Sequence, residues 1–80
     1  MKVLFYGRLA EAIGPELEVD ASPGSSVAEV RDRLAAEHPD VEEVLRGKRA
    51  LSFVGEMLVR DDYRLVAGDT LEFLPPVSGG

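Results

Sequence analysis

The chain has 80 residues, 45% of them hydrophobic and none of them cysteine, with 15 acidic against 9 basic side chains and a net charge of −6. Such a length holds one small domain and no second core. Lack of cysteine removes disulfides, thiolate metal sites, iron–sulfur clusters and thiol nucleophiles together. An acidic chain without a basic cluster also lacks the counterion release that drives nucleic-acid binding, so no nucleic acid is expected as a partner. The charge suits a basic protein partner, and plain solubility explains it equally well. No apolar run approaches the roughly 18 residues of a membrane span. The apolar start at Met1 is short and is interrupted by Arg8 and Glu11, so it reads as a strand rather than a signal segment, with the cytoplasm as the expected compartment.

Lys2 to Arg8 carries apolar residues on both alternating faces, Val3 and Phe5 against Leu4 and Tyr6, as a central strand does. Leu9 to Ile13 allows one helical turn, ended by Gly14-Pro15. Glu16 to Asp20 alternates strictly and reads as a half-buried strand antiparallel to the first. Ser26-Val27-Ala28-Glu29 fits a capping box that opens a helix running to about His38. Its apolar face is Val27, Val30, Leu34 and Ala35, with Arg31, Arg33 and Glu37 largely off it. Pro39 stops this helix, and a short second one follows with Val41, Val44 and Leu45 apolar, ended by Gly47. Leu51 to Val54 and Met57 to Val59 flank Gly55-Glu56 as a hairpin. The facing of the third strand stays open, because Leu51 and Phe53 share one side while Ser52 and Val54 share the other. Arg60 to Val66 is irregular, and Thr70 to Leu74 is the closing strand.

One amphipathic helix covers only one face of a sheet. With the helix as a crossover and the first and last strands parallel at the centre, the expected fold is α+β. It is a ubiquitin-like β-grasp with a mixed sheet of about five strands and one main helix across one face. The expected division is a domain over residues 1–74 and an extended tail over 75–80.

The tail, Pro75-Pro76-Val77-Ser78-Gly79-Gly80, is the most specific feature. Two prolines fix φ and hold a segment extended, with less entropy to lose on docking. Glycine has no Cβ, so a Gly-Gly end can pass a channel too narrow for any side chain. A terminal glycine pair alone arises by chance in roughly one chain in 200, and frayed ends are common. The whole string joined directly to a strand is far less common. Its one reactive group is the carboxylate of Gly80.

A β-grasp chain ending in Pro-Pro-Val-Ser-Gly-Gly resembles the ubiquitin-like sulfur carriers, most of all the small-subunit family of molybdopterin synthase. The resemblance covers the whole chain through Val3-Leu4-Phe5-Tyr6-Gly7, the Ser26-capped helix, Gly68-Asp69 and the tail. It implies that the Gly80 carboxylate is adenylated with ATP by a ubiquitin-activating-like enzyme, since this chain has no P-loop or G-x-G-x-x-G of its own. A sulfur donor then replaces AMP and leaves a thiocarboxylate. The tail inserts into a large subunit that holds the pterin precursor and the catalytic lysine, and two sulfurs build the dithiolene that binds molybdenum. On this reading the chain is a sulfur-donating, non-catalytic subunit with no bound cofactor or metal. Gly79, Ser78, Val77, Pro76 and Pro75 form the passage. With Val3 and Phe5 turned toward the helix, alternation points Leu4 and Tyr6 away from it, and Leu71 and Phe73 take the core side of the last strand, so that Leu74 lies beside Tyr6 and this outer face is the expected partner surface. Many relatives carry arginine where this chain has Ala10, and phenylalanine where it has Leu74.

Other readings are a carrier for the thiazole of thiamin, whose members usually lack Pro-Pro, and a protein modifier joined through Gly80 to lysines. Independent catalysis lacks a residue set: His38 is the single histidine and sits at a helix end, where interaction with terminal carbonyls is expected. Asp61-Asp62 and Glu42-Glu43 are expected to be solvated and lack calcium-loop spacing. A β-grasp ferredoxin needs four cysteines.

Overall fold

In the computed structural model, which describes residues 1–47 and 50–75, β1 (Lys2–Phe5) and β5 (Thr70–Leu74) run parallel with Val3 opposite Leu71 and Phe5 opposite Phe73. Those four side chains are buried, and the Phe5 and Phe73 rings stack at a centroid distance of 6.2 Å. β2 (Glu16–Glu18) pairs antiparallel with β1. β3 (Leu51–Val54) pairs antiparallel with both β5 and β4 (Met57–Val59). The order β2-β1-β5-β3-β4 is the β-grasp arrangement, with both edges formed by three-residue strands.

α2 (Val27–Glu37) crosses one face and buries Val27, Val30, Leu34 and Ala35 against the sheet. Its first turn is fully satisfied. The Glu29 amide donates to Ser26 Oγ at 3.1 Å, and the Ser26 amide donates back to Glu29 Oε1 at 3.0 Å. The amides of Val27 and Ala28 donate to the carbonyls of Tyr63 and Asp61. The irregular stretch read between Arg60 and Val66 thus serves as the cap of this helix, since helix amides without an intrahelical partner need acceptors. At the other end the backbone amide of His38 takes up the Leu34 carbonyl at 2.9 Å.

Several local expectations are corrected. The helical turn after the first strand is a seven-residue helix, α1 (Gly7–Ile13), because Leu9 is fully buried and anchors it. Gly14, at φ 119, ends it and donates its amide to Ala10 at 2.8 Å. The short element after Pro39 is a 3₁₀ turn, Pro39–Val41, followed by one π turn, Glu43–Gly47.

Arg31 is the larger correction. It lies in the core, 6% exposed, on the face of α2 turned to the sheet. Its guanidinium donates to the carbonyls of Leu45 and Ala50, to Ser52 Oγ and to Asp61 Oδ1, at 2.7 to 3.2 Å. It also lies 5.1 Å over the Phe73 ring. Asp61 is therefore a half-buried ion-pair partner and not a solvated acid. Glu42 likewise pairs with Arg46, at 2.6 Å on the surface.

Candidate functional site

The buried arginine decides which side of β3 faces the core. Ser52 turns inward, 2% exposed, to meet Arg31, and this sends Leu51 and Phe53 to the outer face. The pairing Leu51 with Leu74 and Phe53 with Glu72 puts these side chains on one side of the sheet, by strand alternation. Phe53 is also opposite Leu58 of β4, so Leu58 shares that side.

β1 contributes Leu4, half-buried, opposite Glu72. Tyr6 follows in extended conformation, φ −134 and ψ 159, and so returns to the face of Leu4. Its hydroxyl donates to Glu72 Oε1 at 2.7 Å, which ties the end of β1 to β5 across the outer face. That hydrogen bond, then desolvation and the nearby carboxylate charge, raise the Tyr6 phenol above its ordinary 10.0. Tyr6 occupies the N-cap position of α1 but makes no side-chain cap, because its ring is turned to Glu72.

The three surface residues singled out in the sequence, Tyr6, Leu4 and Leu74, thus lie on one face away from α2. Leu71 and Phe73 lie on the core side. The face extends further than sequence reasoning placed it, through Leu51, Phe53 and Leu58. Tyr6, Leu51 and Leu58 are 42%, 49% and 59% exposed. Alternation along β3 could not assign Leu51 and Phe53 to it, because both sides of that strand carry apolar residues, Leu51 and Phe53 on one and Val54 on the other. Scattered apolar residues are ordinary on surfaces, whereas adjacent ones in registered strands form a continuous patch.

Pro75 ends the described part of the tail and continues directly from β5, with its ring over the start of α1 at Gly7. The other tail residues, Pro76, Val77, Ser78, Gly79 and Gly80, lie outside the described residues. Among the described residues no group of three or more His, Asp or Glu side chains could hold a metal ion, and no helix is long and apolar enough to cross a membrane.

The mixed sheet, the crossing helix and the strand that runs straight into a proline define a ubiquitin-like β-grasp protein. The chain belongs to the ThiS family, whose sequence profile matches residues 3–80. It is 32% identical over 80 residues to the molybdopterin synthase sulfur carrier subunit of Escherichia coli, covering 100% of this chain and 99% of that one. The crystal structure of SAMP1 from Haloferax volcanii superposes with a TM-score of 0.79 at 28% identity, covering 99% of this chain and 97% of that one. The complex of subunits 1 and 2 of the molybdopterin-converting factor from Helicobacter pylori contains the same fold. It matches with a TM-score of 0.67 at 24% identity over 99% of this chain and 96% of that one.

Proposed function

We propose that this chain is the sulfur carrier of a molybdopterin synthase, with the carboxylate of Gly80 as its reactive group. The observation that carries the reading is the placement of Pro75. It starts the tail directly from the central strand β5, beside the apolar outer face of Leu4, Tyr6 and Leu74. Full-length similarity to the E. coli carrier supports it.

A separate ubiquitin-activating-like enzyme supplies the activation. The Gly80 carboxylate oxygen attacks the α-phosphorus of ATP and expels pyrophosphate, leaving an acyl-adenylate. Hydrosulfide adds to the carbonyl carbon, AMP leaves with the electron pair of the broken C–O bond, and loss of the S–H proton leaves the thiocarboxylate. Sulfur enters at the sulfide level, so nothing is oxidised or reduced. The thiocarboxylate sulfur then displaces an oxygen leaving group on a carbon of the pterin precursor held by the large subunit, that oxygen taking the electron pair of the broken C–O bond. Water cleaves the acyl–sulfur bond, which restores the carboxylate and leaves the sulfur on the pterin as a thiolate. The large subunit docks on the outer face, and the passage formed by Pro75, Pro76, Val77, Ser78 and Gly79 brings Gly80 to its catalytic site. This chain provides the reacting carboxylate and a docking surface, works in the cytoplasm and needs no resident cofactor.

Incubation with ATP, the activating enzyme and sulfide tests the reading by intact-mass spectrometry. The full chain gains the mass of one oxygen-for-sulfur exchange, and a chain lacking Gly80 or extended beyond it gains none while keeping its fold. Exchange in the Gly80-deleted chain would overturn it.

A further inference from the structure

Gly7 stands where β1 turns into α1, with φ +57. A Cβ built on it would lie 3.1 Å from Cγ of Pro75 and 3.8 Å from Cδ. Carbon atoms in good contact are about 3.5–4.0 Å apart, so a side chain at Gly7 would push the Pro75 ring back by a few tenths of an ångström. The other left-handed glycines differ. Nothing lies within 4 Å of a Cβ at Gly24, Gly55 or Gly68, and Gly14 would meet only the Glu16 carbonyl oxygen, at 3.9 Å. Gly7 alone among the described positive-φ glycines is closed over by a side chain from a distant segment.

We propose that Gly7 is a positioning residue for the tail: its missing side chain forms the notch that receives the Pro75 ring, and this contact sets the direction in which the following residues leave the domain. Two restraints act at this point. Leu74 is held in the ladder with Leu51, and one residue later the Pro75 ring, whose φ is locked, rests on the backbone of Gly7. The consequence for sulfur delivery rests on the reading of the previous subsection, whereas the contact itself does not.

The comparison of Gly7→Ala with Gly55→Ala separates backbone strain from the notch. Gly55 has φ +63 and open space around it, so both replacements put a Cβ on a left-handed residue and both lower the melting temperature similarly. In the free chain, nuclear Overhauser contacts between the Gly7 α protons and the Pro75 ring are expected. Gly7→Ala shifts the amide resonances of Val77 and Ser78, and Gly55→Ala leaves them in place. With the large subunit, sulfur transfer per folded molecule slows of order ten- to a hundredfold in Gly7→Ala, as misplacement of a reacting group by an ångström does. It keeps its rate in Gly55→Ala. Pro75→Ala breaks the same contact, so the double variant Gly7→Ala/Pro75→Ala is no slower than the slower single one. Unchanged tail resonances in Gly7→Ala, equal slowing by Gly55→Ala, or fully additive slowing in the double variant would each overturn the inference. If the wild-type chain accepts no sulfur, the sulfur-carrier reading fails, and the free-chain spectra still decide whether Gly7 aims the tail.

Discussion

The guanidinium of Arg31 reaches from α2 through the core to the hydroxyl of Ser52 on β3, at 2.8 Å. This pair couples the helix to the sheet and fixes which face of β3 looks outward. The same guanidinium holds the carbonyls of Leu45 and Ala50, which flank the segment between the π turn and β3. A planar fork with five donors suits that set of acceptors, and a lysine ammonium does not.

Arg31→Met is accordingly expected to destabilise the domain by about 3 kcal/mol, because it leaves buried acceptors and a partly buried carboxylate without their donor. Arg31→Lys recovers little of the loss. Ser52→Ala removes one acceptor only and costs about 1–2 kcal/mol. Urea unfolding followed by circular dichroism measures all three. An Arg31→Met variant as stable as the wild type would remove the arginine from its structural role.

The Tyr6–Glu72 hydrogen bond predicts a titration. Tyr63→Phe leaves Tyr6 as the single tyrosine of the chain, and its phenolate absorbance should then rise only above the ordinary 10.0. Glu72→Gln should bring the midpoint back down, since the accepting charge is gone. Because the protonated phenol is the form held in the fold, its stabilisation is present below pH 10 and is lost as pH rises through the raised folded value. A midpoint indifferent to Glu72→Gln would place the cause elsewhere.

For the tail, Gly79→Val should slow sulfur transfer far more than Ser78→Ala. A β-branched side chain adds bulk and restricts the backbone in the proposed passage, while loss of one hydroxyl leaves the path open. Transfer rates to the large subunit compare the two, and equal rates would rule out a narrow passage.

The docking face offers a fourth test. Leu74→Asp is expected to weaken binding to the large subunit by about 2–4 kcal/mol, the range of interface hot spots, with the fold retained because Leu74 points away from the core. Leu51→Asp, on the neighbouring strand, should act in the same direction. Tyr6→Asp also weakens binding, but it sets a second carboxylate near Glu72, so Leu74→Asp isolates the interface more cleanly. Titration calorimetry reads the affinity, and circular dichroism checks folding. Unchanged affinity in the folded variants would move the interface to another surface.

The sequence by itself determined the order of elements along the chain, the parallel β1–β5 pair, the Ser26 capping box, the core residues of β1 and β5 and, Arg31 apart, those of α2. These follow from local rules: alternation in strands, three- and four-residue spacing in the helix, and side-chain chemistry at its first turn. It also placed Tyr6, Leu4 and Leu74 on one face, because register between two central strands leaves each residue only two sides. Tertiary structure alone decided the rest. A core-facing helix position was filled by Arg31, which periodicity reads as surface, since only the assembled fold brings Ser52, Asp61 and two carbonyls around one guanidinium. That burial turned Ser52 inward and Leu51 and Phe53 outward, widening the apolar face. The meeting of Gly7 with Pro75 was equally hidden, because residues so far apart in the chain become neighbours only when parallel pairing of the first and last strands brings their ends together.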